Sequence, residues 1–277
     1  MNVFSFGGGV QSTAALVLAA RGDLDCDAFL FANVGDDSEH PATLRYVREV
    51  AMPYAAAHSI ELHELHRQRK DGSIETLYGR LTRPGSKSIG IPVRLAGSGA
   101  PAQRNCTADF KIRVIASWCY RHGARKMKPA TTMLGISMDE FQRMRTDSGI
   151  SYTRLAYPLI DRRMSRQDCI NVIASAGLPV PPKSSCWFCP YHRLSVWQRM
   201  RDEEPDLFRK ACELEASLTA RAKTLKRYSP KALPPEQEAV FFTRTMKPLA
   251  QAVGNASQLS LFDSFEGDVC ESGFCVA

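Results

Sequence analysis

The segment Val3-Phe4-Ser5-Phe6-Gly7-Gly8-Gly9-Val10-Gln11-Ser12-Thr13, followed at once by Ala14-Ala15-Leu16-Val17-Leu18-Ala19-Ala20, reads as a short buried strand, a glycine turn and a helix. Three successive glycines place no Cβ between the backbone amides and an incoming anion. The helix start adds unpaired N–H groups and the positive end of a dipole, which together favour phosphate. No lysine follows the glycines, so the pattern is not G-x-x-x-x-G-K-[ST]. The third glycine comes too early for G-x-G-x-x-G. Taken alone, the segment also fits a plain tight turn.

Working outward, Ala28 to Ala32 is a second apolar strand that ends in Asn33-Val34-Gly35-Asp36-Asp37-Ser38-Glu39-His40-Pro41-Ala42-Thr43. Leu44, Val47, Val50 and Ala51 repeat at helical spacing, and Ile60, Leu62 and Leu65 alternate as a third strand does. Strand, helix, strand, helix, strand implies a parallel α/β sheet, whose ligands bind beyond the carboxyl ends of the strands. Residues 67–104 are rich in Gly, Pro, Ser and basic residues, the composition of a functional loop inserted in the domain. Met133 to Ile136 is a further strand, followed by a loop with Asp139, Glu140, Arg143 and Arg145. Tyr157 to Asp161 reads as extended, Ser165 caps a helix, and Ser195 to about Ala222 is helical and charged. The expected organisation is an α/β domain over 1–200, a helical extension over 201–230 and an irregular, cysteine-containing tail over 231–277.

The 277 residues are 44% hydrophobic and 23% charged, which supports a sizeable core. No apolar run reaches membrane-spanning length and no signal peptide is visible, so a cytoplasmic location is expected. The net charge of +7 is unevenly placed. Between Glu61 and Lys128, fourteen Lys and Arg face five acids, a local +9 that leaves −2 elsewhere. A localised excess of this kind fits a polyanion, either a nucleotide or a nucleic acid.

Nine cysteines without a secretory signal point to metal or redox chemistry rather than a disulfide framework. Cys26, Cys119, Cys169 and Cys212 lie in apolar or helical patterns and read as packing residues. Cys106, Cys186, Cys189, Cys270 and Cys275 lie in loop-like contexts. Cys186-x2-Cys189 with Cys106 supplies three thiolates for a [4Fe–4S] cluster with one open iron. The same residues also fit zinc, with His192 or a tail cysteine (Cys270 or Cys275) as fourth ligand, or a redox pair.

In this order, the glycine turn, Asn33-Val34-Gly35 through Thr43, Cys106-Thr107 with Lys111, Gly135-Ile136 with Asp139-Glu140 and Arg143, and Pro158 to Asp161 resemble the PP-loop adenine-nucleotide hydrolases. Within them they resemble the phosphoadenosine-phosphosulfate reductase family, over residues 1–195. Gln11 and Asn33 stand where many members carry an acid, and Cys270-x4-Cys275 replaces the family's Glu-Cys-Gly ending. The basic loop and the Cys186-Trp187-Phe188-Cys189 placement are closer to members that modify nucleic acid.

The resemblance implies a Rossmann-like sheet and attack at the α-phosphate of an adenine nucleotide: ATP, or phosphoadenosine or adenosine phosphosulfate. The nucleotide would contact Ser5, Gly7, Gly8, Gly9, Gln11, Ser12, Thr13, Asn33, Gly35 and Gly135. Arg104, Lys111 and Arg143 would be the transition-state cations, with Asp139, four residues before Arg143, orienting its guanidinium. Asp36, Asp37 or Glu39 would hold Mg²⁺. Expected partners are tRNA or DNA on the 61–128 segment and a sulfur-donor protein, and the chain is compatible with a homodimer. Sulfur transfer to nucleic acid is the leading expectation. A sulfite-forming reductase and a non-catalytic nucleotide sensor are the alternatives.

Overall fold

The computed structural model describes residues 1–225 and 239–254. The calls on Cys270, Cys275 and the remainder of the 231–277 tail lie outside the described residues. In chain order the elements are β1 (Asn2–Phe6), α1 (Val10–Ala20), β2 (Ala28–Asn33), α2 (Pro41–Tyr46), α3 (Met52–Ala57), β3 (Leu62–His66), α4 (Leu77–Thr82), β4 (Arg94–Leu95) and α5 (Asn105–Thr107). There follow α6 (Arg113–Arg121), β5 (Ala130–Leu134), β6 (Thr153–Ala156), α7 (Pro158–Asp161), α8 (Arg166–Ser175), α9 (Leu194–Glu203), α10 (Pro205–Thr224), β7 (Val240–Phe241) and α11 (Leu249–Gly254). The described chain forms two compact units, residues 1–76 with 107–185, and residues 77–106 with 186–225 and 239–254.

The first unit is a Rossmann-like α/β fold. Its five strands are parallel, in the order β3-β2-β1-β5-β6. The largely apolar runs of β1 and β2 are explained by cover on both faces. Phe4, Phe6, Phe29 and Phe31 meet α1 and α8 on one face, with Phe4 and Phe29 stacked 5.1 Å apart. Val3, Ala28 and Leu30 meet Ile115, Trp118 and Cys119 of α6 on the other. Truncating the fully buried Phe29 to Ala is worth about 3–5 kcal/mol on the usual core scale. The strand order reverses between β1 and β5, and such a switch point opens a crevice at the carboxyl ends of those two strands.

Two local expectations change. Residues 158–161 are helical rather than extended, because Pro158 occupies a first-turn position where its fixed φ suits a helix start. The helix expected from Ser195 onward is two helices that break at Glu204 (φ −136°, ψ 56°). Pro205 forces that break by disfavouring helical backbone at the residue before it.

In the second unit, β4 pairs antiparallel with β7. Helix α10 packs on α9 and on β7, and Glu215 is buried where it accepts the amides of Phe242 and Leu249, each at 2.6 Å. No helix among the described residues is long and apolar enough to cross a membrane.

Candidate nucleotide site and cysteine loops

The glycine turn lies at the carboxyl end of β1. Gly8 has φ +73°, and a Cβ there would come within 2.9 Å of Val47 Cγ2 and 3.1 Å of Thr43 Cγ2, so only glycine fits. Gly9 precedes α1 with no side-chain cap, and the first turn of α1 carries no acid. Ser12 Oγ accepts the Gly9 amide at 3.1 Å and donates to the Gly9 carbonyl at 3.0 Å. Ser12 and Thr13 are both buried; the Ser12 side chain braces the turn, while the Thr13 hydroxyl accepts and donates no hydrogen bond among the described residues. Ser184 Oγ donates to the Gly7 carbonyl, and the His40 amide donates to Ser185, closing the turn from behind.

Beyond β2, Asn33 is buried and its amide serves three groups. Its Oδ1 accepts from Gly35 N at 2.8 Å, while its Nδ2 donates to Asp36 Oδ1 at 2.7 Å and to Glu64 Oε1 at 2.6 Å. An aspartate there could not donate, which explains why this chain carries Asn. Arg48 binds Asp36 with two nitrogens at 2.9 and 2.8 Å and reaches Glu64 at 2.6 Å. The Arg48 hydrogen bonds hold Asp36 below the ordinary carboxylate range. For Glu64, burial pushes the pKa up, but Arg48 and Asn33 outweigh it and the net shift is downward. Asp37 accepts from Ser38 Oγ at 2.7 Å and Thr76 Oγ1 at 2.8 Å. Of the three acids expected to hold Mg²⁺, Glu39 differs. It is 0% exposed, neither oxygen accepts a hydrogen bond, and Lys111 Nζ stands 3.7 Å from Oε1.

Gly135, just past β5, packs against the start of α1: a Cβ would sit 3.3 Å from both Gln11 Cβ and Ser12 N. The loop that follows is a 3-10 turn over Met138–Arg143. With three residues per turn, it sets Glu140 and Arg143 on one face, rather than Asp139 and Arg143. Glu140 Oε1 accordingly takes the Arg143 guanidinium, while Asp139 accepts from Ser137 Oγ and from the backbone of Arg166. The acid paired with Arg143 is therefore Glu140, not Asp139. Its signal, an acid three residues before the arginine, was present but was read at helical spacing.

A cavity of about 50 Å³ lies over β1, β5 and β6, on the face of the sheet that α6 covers. Ser5 of β1, Thr132 and Leu134 of β5, and Leu155 of β6 floor it, and Lys111, Arg143 and Arg145 bring positive charge to it. The remaining basic residues of this unit are not gathered here. Arg125, Lys126 and Lys128 are exposed on a turn at the amino end of β5, opposite the glycine turn.

In the second unit, Arg104 lies over the Tyr191 ring at 5.4 Å. The Cys106 amide donates to Gly90 at 2.8 Å. Cys186 and Cys189 share one turn, closed by Cys189 N to Cys186 O at 3.2 Å. His192 Nε2 lies 2.9 Å from the Cys186 carbonyl, so that nitrogen is engaged with backbone. The three thiols are partly buried and none is in a disulfide. Their chemistry fits iron or zinc, although no group of three metal-holding side chains is assembled among the described residues. Burial pushes the Cys26 and Cys169 thiols up to about 12 and those of Cys119 and Cys212 up to about 11.

No protein-family model matches the chain, and no curated protein matches it. One solved structure is similar. It is the U34-tRNA thiolase NcsA from Methanococcus maripaludis with its [4Fe-4S] cluster, at 10% identity over 94% of this chain and 82% of that one, with a TM-score of 0.43.

Proposed function

We propose that the first unit binds an adenine nucleotide, ATP in the leading case, in the crevice between β1 and β5, and that the chain is a sulfur-transfer enzyme acting on nucleic acid. One observation carries the nucleotide assignment. The cavity at the strand-order reversal is floored by Ser5, two residues before the glycine turn, and is faced by two cations, Lys111 and Arg143, the first paired with the buried Glu39 and the second with the half-buried Glu140. The amides at Gly7 to Gly9 would hold the leaving pyrophosphate and stabilise its growing charge. A substrate oxygen attacks the α-phosphorus, the bond to the β-phosphate oxygen breaks, and pyrophosphate departs. A sulfur nucleophile then displaces AMP from the activated carbon.

Lys111 and Arg143 would meet the phosphoryl charge, and the apolar walls at Leu134 and Leu155 would exclude water from a bound base. Glu39, whose oxygens accept no hydrogen bond, is the acid assigned to Mg²⁺. Cys106, Cys186 and Cys189 are assigned to a [4Fe–4S] cluster, which supplies an open iron for sulfide when bound. Their partial exposure and shared unit support this, and loading would have to draw the three together. The partner class, tRNA or DNA, rests on the local charge of the 61–128 segment.

The test is anaerobic purification with iron and zinc analysis, then assay of ATP and inorganic sulfide with and without tRNA or DNA. Pyrophosphate release with sulfur incorporation supports the proposal. Turnover of phosphoadenosine phosphosulfate without ATP would make the protein a reductase. Binding without any turnover would make it a sensor.

A further inference from the structure

Gln11 occupies the second position of α1, among the amides of the anion cradle, and carries no charge. Its Nε2 lies 3.3 Å from Glu140 Oε2, across 129 residues of sequence, and 3.4 Å from Ser137 Oγ. The other oxygen of the same carboxylate, Oε1, takes the Arg143 guanidinium. These side chains are well buried, Arg143 at 7% and Glu140 at 13% exposure. Arg143 Nε has no hydrogen-bond partner, and the residue lines the cavity. A solvated surface pair would not be enclosed in this way, and buried pairs return little net stability for their desolvation. The arrangement does accomplish one thing: a single carboxylate, with one oxygen on each, fixes the start of α1 and the cavity's arginine relative to each other.

We propose that Glu140 is a positioning residue of the nucleotide site. From the loop after β5, its carboxylate ties Gln11 at the start of α1 to Arg143 and aims Arg143 at the bound phosphates. The proposal rests on the nucleotide assignment above. It also explains why Gln suits position 11. An acid there would face the Glu140 carboxylate at hydrogen-bond distance, and the two charges would repel.

Calorimetric titration of the full chain with Mg–ATP, alongside thermal melting without nucleotide, tests this on four proteins. Wild type binds. In Glu140→Gln the carboxylate charge that holds Arg143 is lost and the Gln11 amide must turn over to keep a hydrogen bond. Affinity therefore falls by about tenfold, while the melting point moves little. Gln11→Glu falls as well, through carboxylate repulsion. The exchanged pair Gln11→Glu with Glu140→Gln restores both hydrogen bonds with the charge moved one side chain over, and recovers most of the affinity. A merely structural glutamate would not give that recovery in ATP binding. If Glu140→Gln does not fold, the exchanged pair decides alone. Wild-type affinity in Glu140→Gln, or an exchanged pair folded but weaker than either single variant, overturns the proposal and leaves the nucleotide assignment standing. A wild type that does not bind Mg–ATP overturns the nucleotide assignment itself and the proposal with it.

Discussion

Lys111 Nζ lies 3.7 Å from Glu39 Oε1, and neither oxygen of that fully buried carboxylate accepts a hydrogen bond. The ammonium is therefore the principal compensation this chain offers a charge that would otherwise be stranded. Lys111→Met should lower unfolding stability by about 3 kcal/mol, the usual cost of breaking a buried pair from one side. Lys111→Met with Glu39→Gln should recover part of that loss. Urea unfolding measures both, and an equal loss in the double variant would show that Glu39 does not depend on Lys111.

Gly8 tests the cradle. With φ +73° and Val47 Cγ2 only 2.9 Å from any added Cβ, Gly8→Ala strains the turn and pushes it off Val47 and Thr43. A stability loss of about 1–3 kcal/mol is expected, with a larger loss of ATP affinity than the stability change alone would give. A folded Gly8→Ala protein with native ATP affinity would remove the turn from the site.

The parallel sheet and its glycine turn were legible because apolar runs and three glycines are local signals. The acidic loop was legible as a loop but not as a network. Arg48 lies 12 residues after Asp36 and 16 before Glu64, and only the parallel register of β2 on β3, with Asn33 beside His66, brings these groups together. Glu140 was missed because a 3-10 turn moves the useful spacing from four residues to three. Ser184 was missed because nothing near it in sequence marks it as a partner of Gly7, 177 residues away.

That network gives a pH prediction. Asp36 and Glu64 are held low by Arg48, so their stabilisation is complete above the ordinary carboxylate range and lost as the pH falls through the lower folded-state values. Arg48→Met should therefore be destabilised at neutral pH, and its gap from wild type should close as the pH drops below about 4. Asp36 and Arg48 are substantially exposed, so the neutral-pH gap should be modest and should shrink with salt. A gap that is constant between neutral and acid pH would contradict the network.

The cysteines divide by environment. Burial raises Cys26, Cys119, Cys169 and Cys212 to about 11–12, so they should resist iodoacetamide in the native protein near neutral pH. Cys106, Cys186 and Cys189 should be alkylated in metal-free protein and protected after anaerobic iron and sulfide loading. Mass mapping of the labelled peptides reads both states, and equal labelling of the three before and after loading would remove them as cluster ligands.

The most direct measurement of the central claim is the product pair formed from ATP under anaerobic conditions with tRNA or DNA and inorganic sulfide present. Reaction at the α-phosphate in the β1–β5 crevice gives AMP and pyrophosphate in equal amounts, with both lost in Lys111→Met and Arg143→Met. ADP with inorganic phosphate, or no turnover of ATP at all, would contradict it.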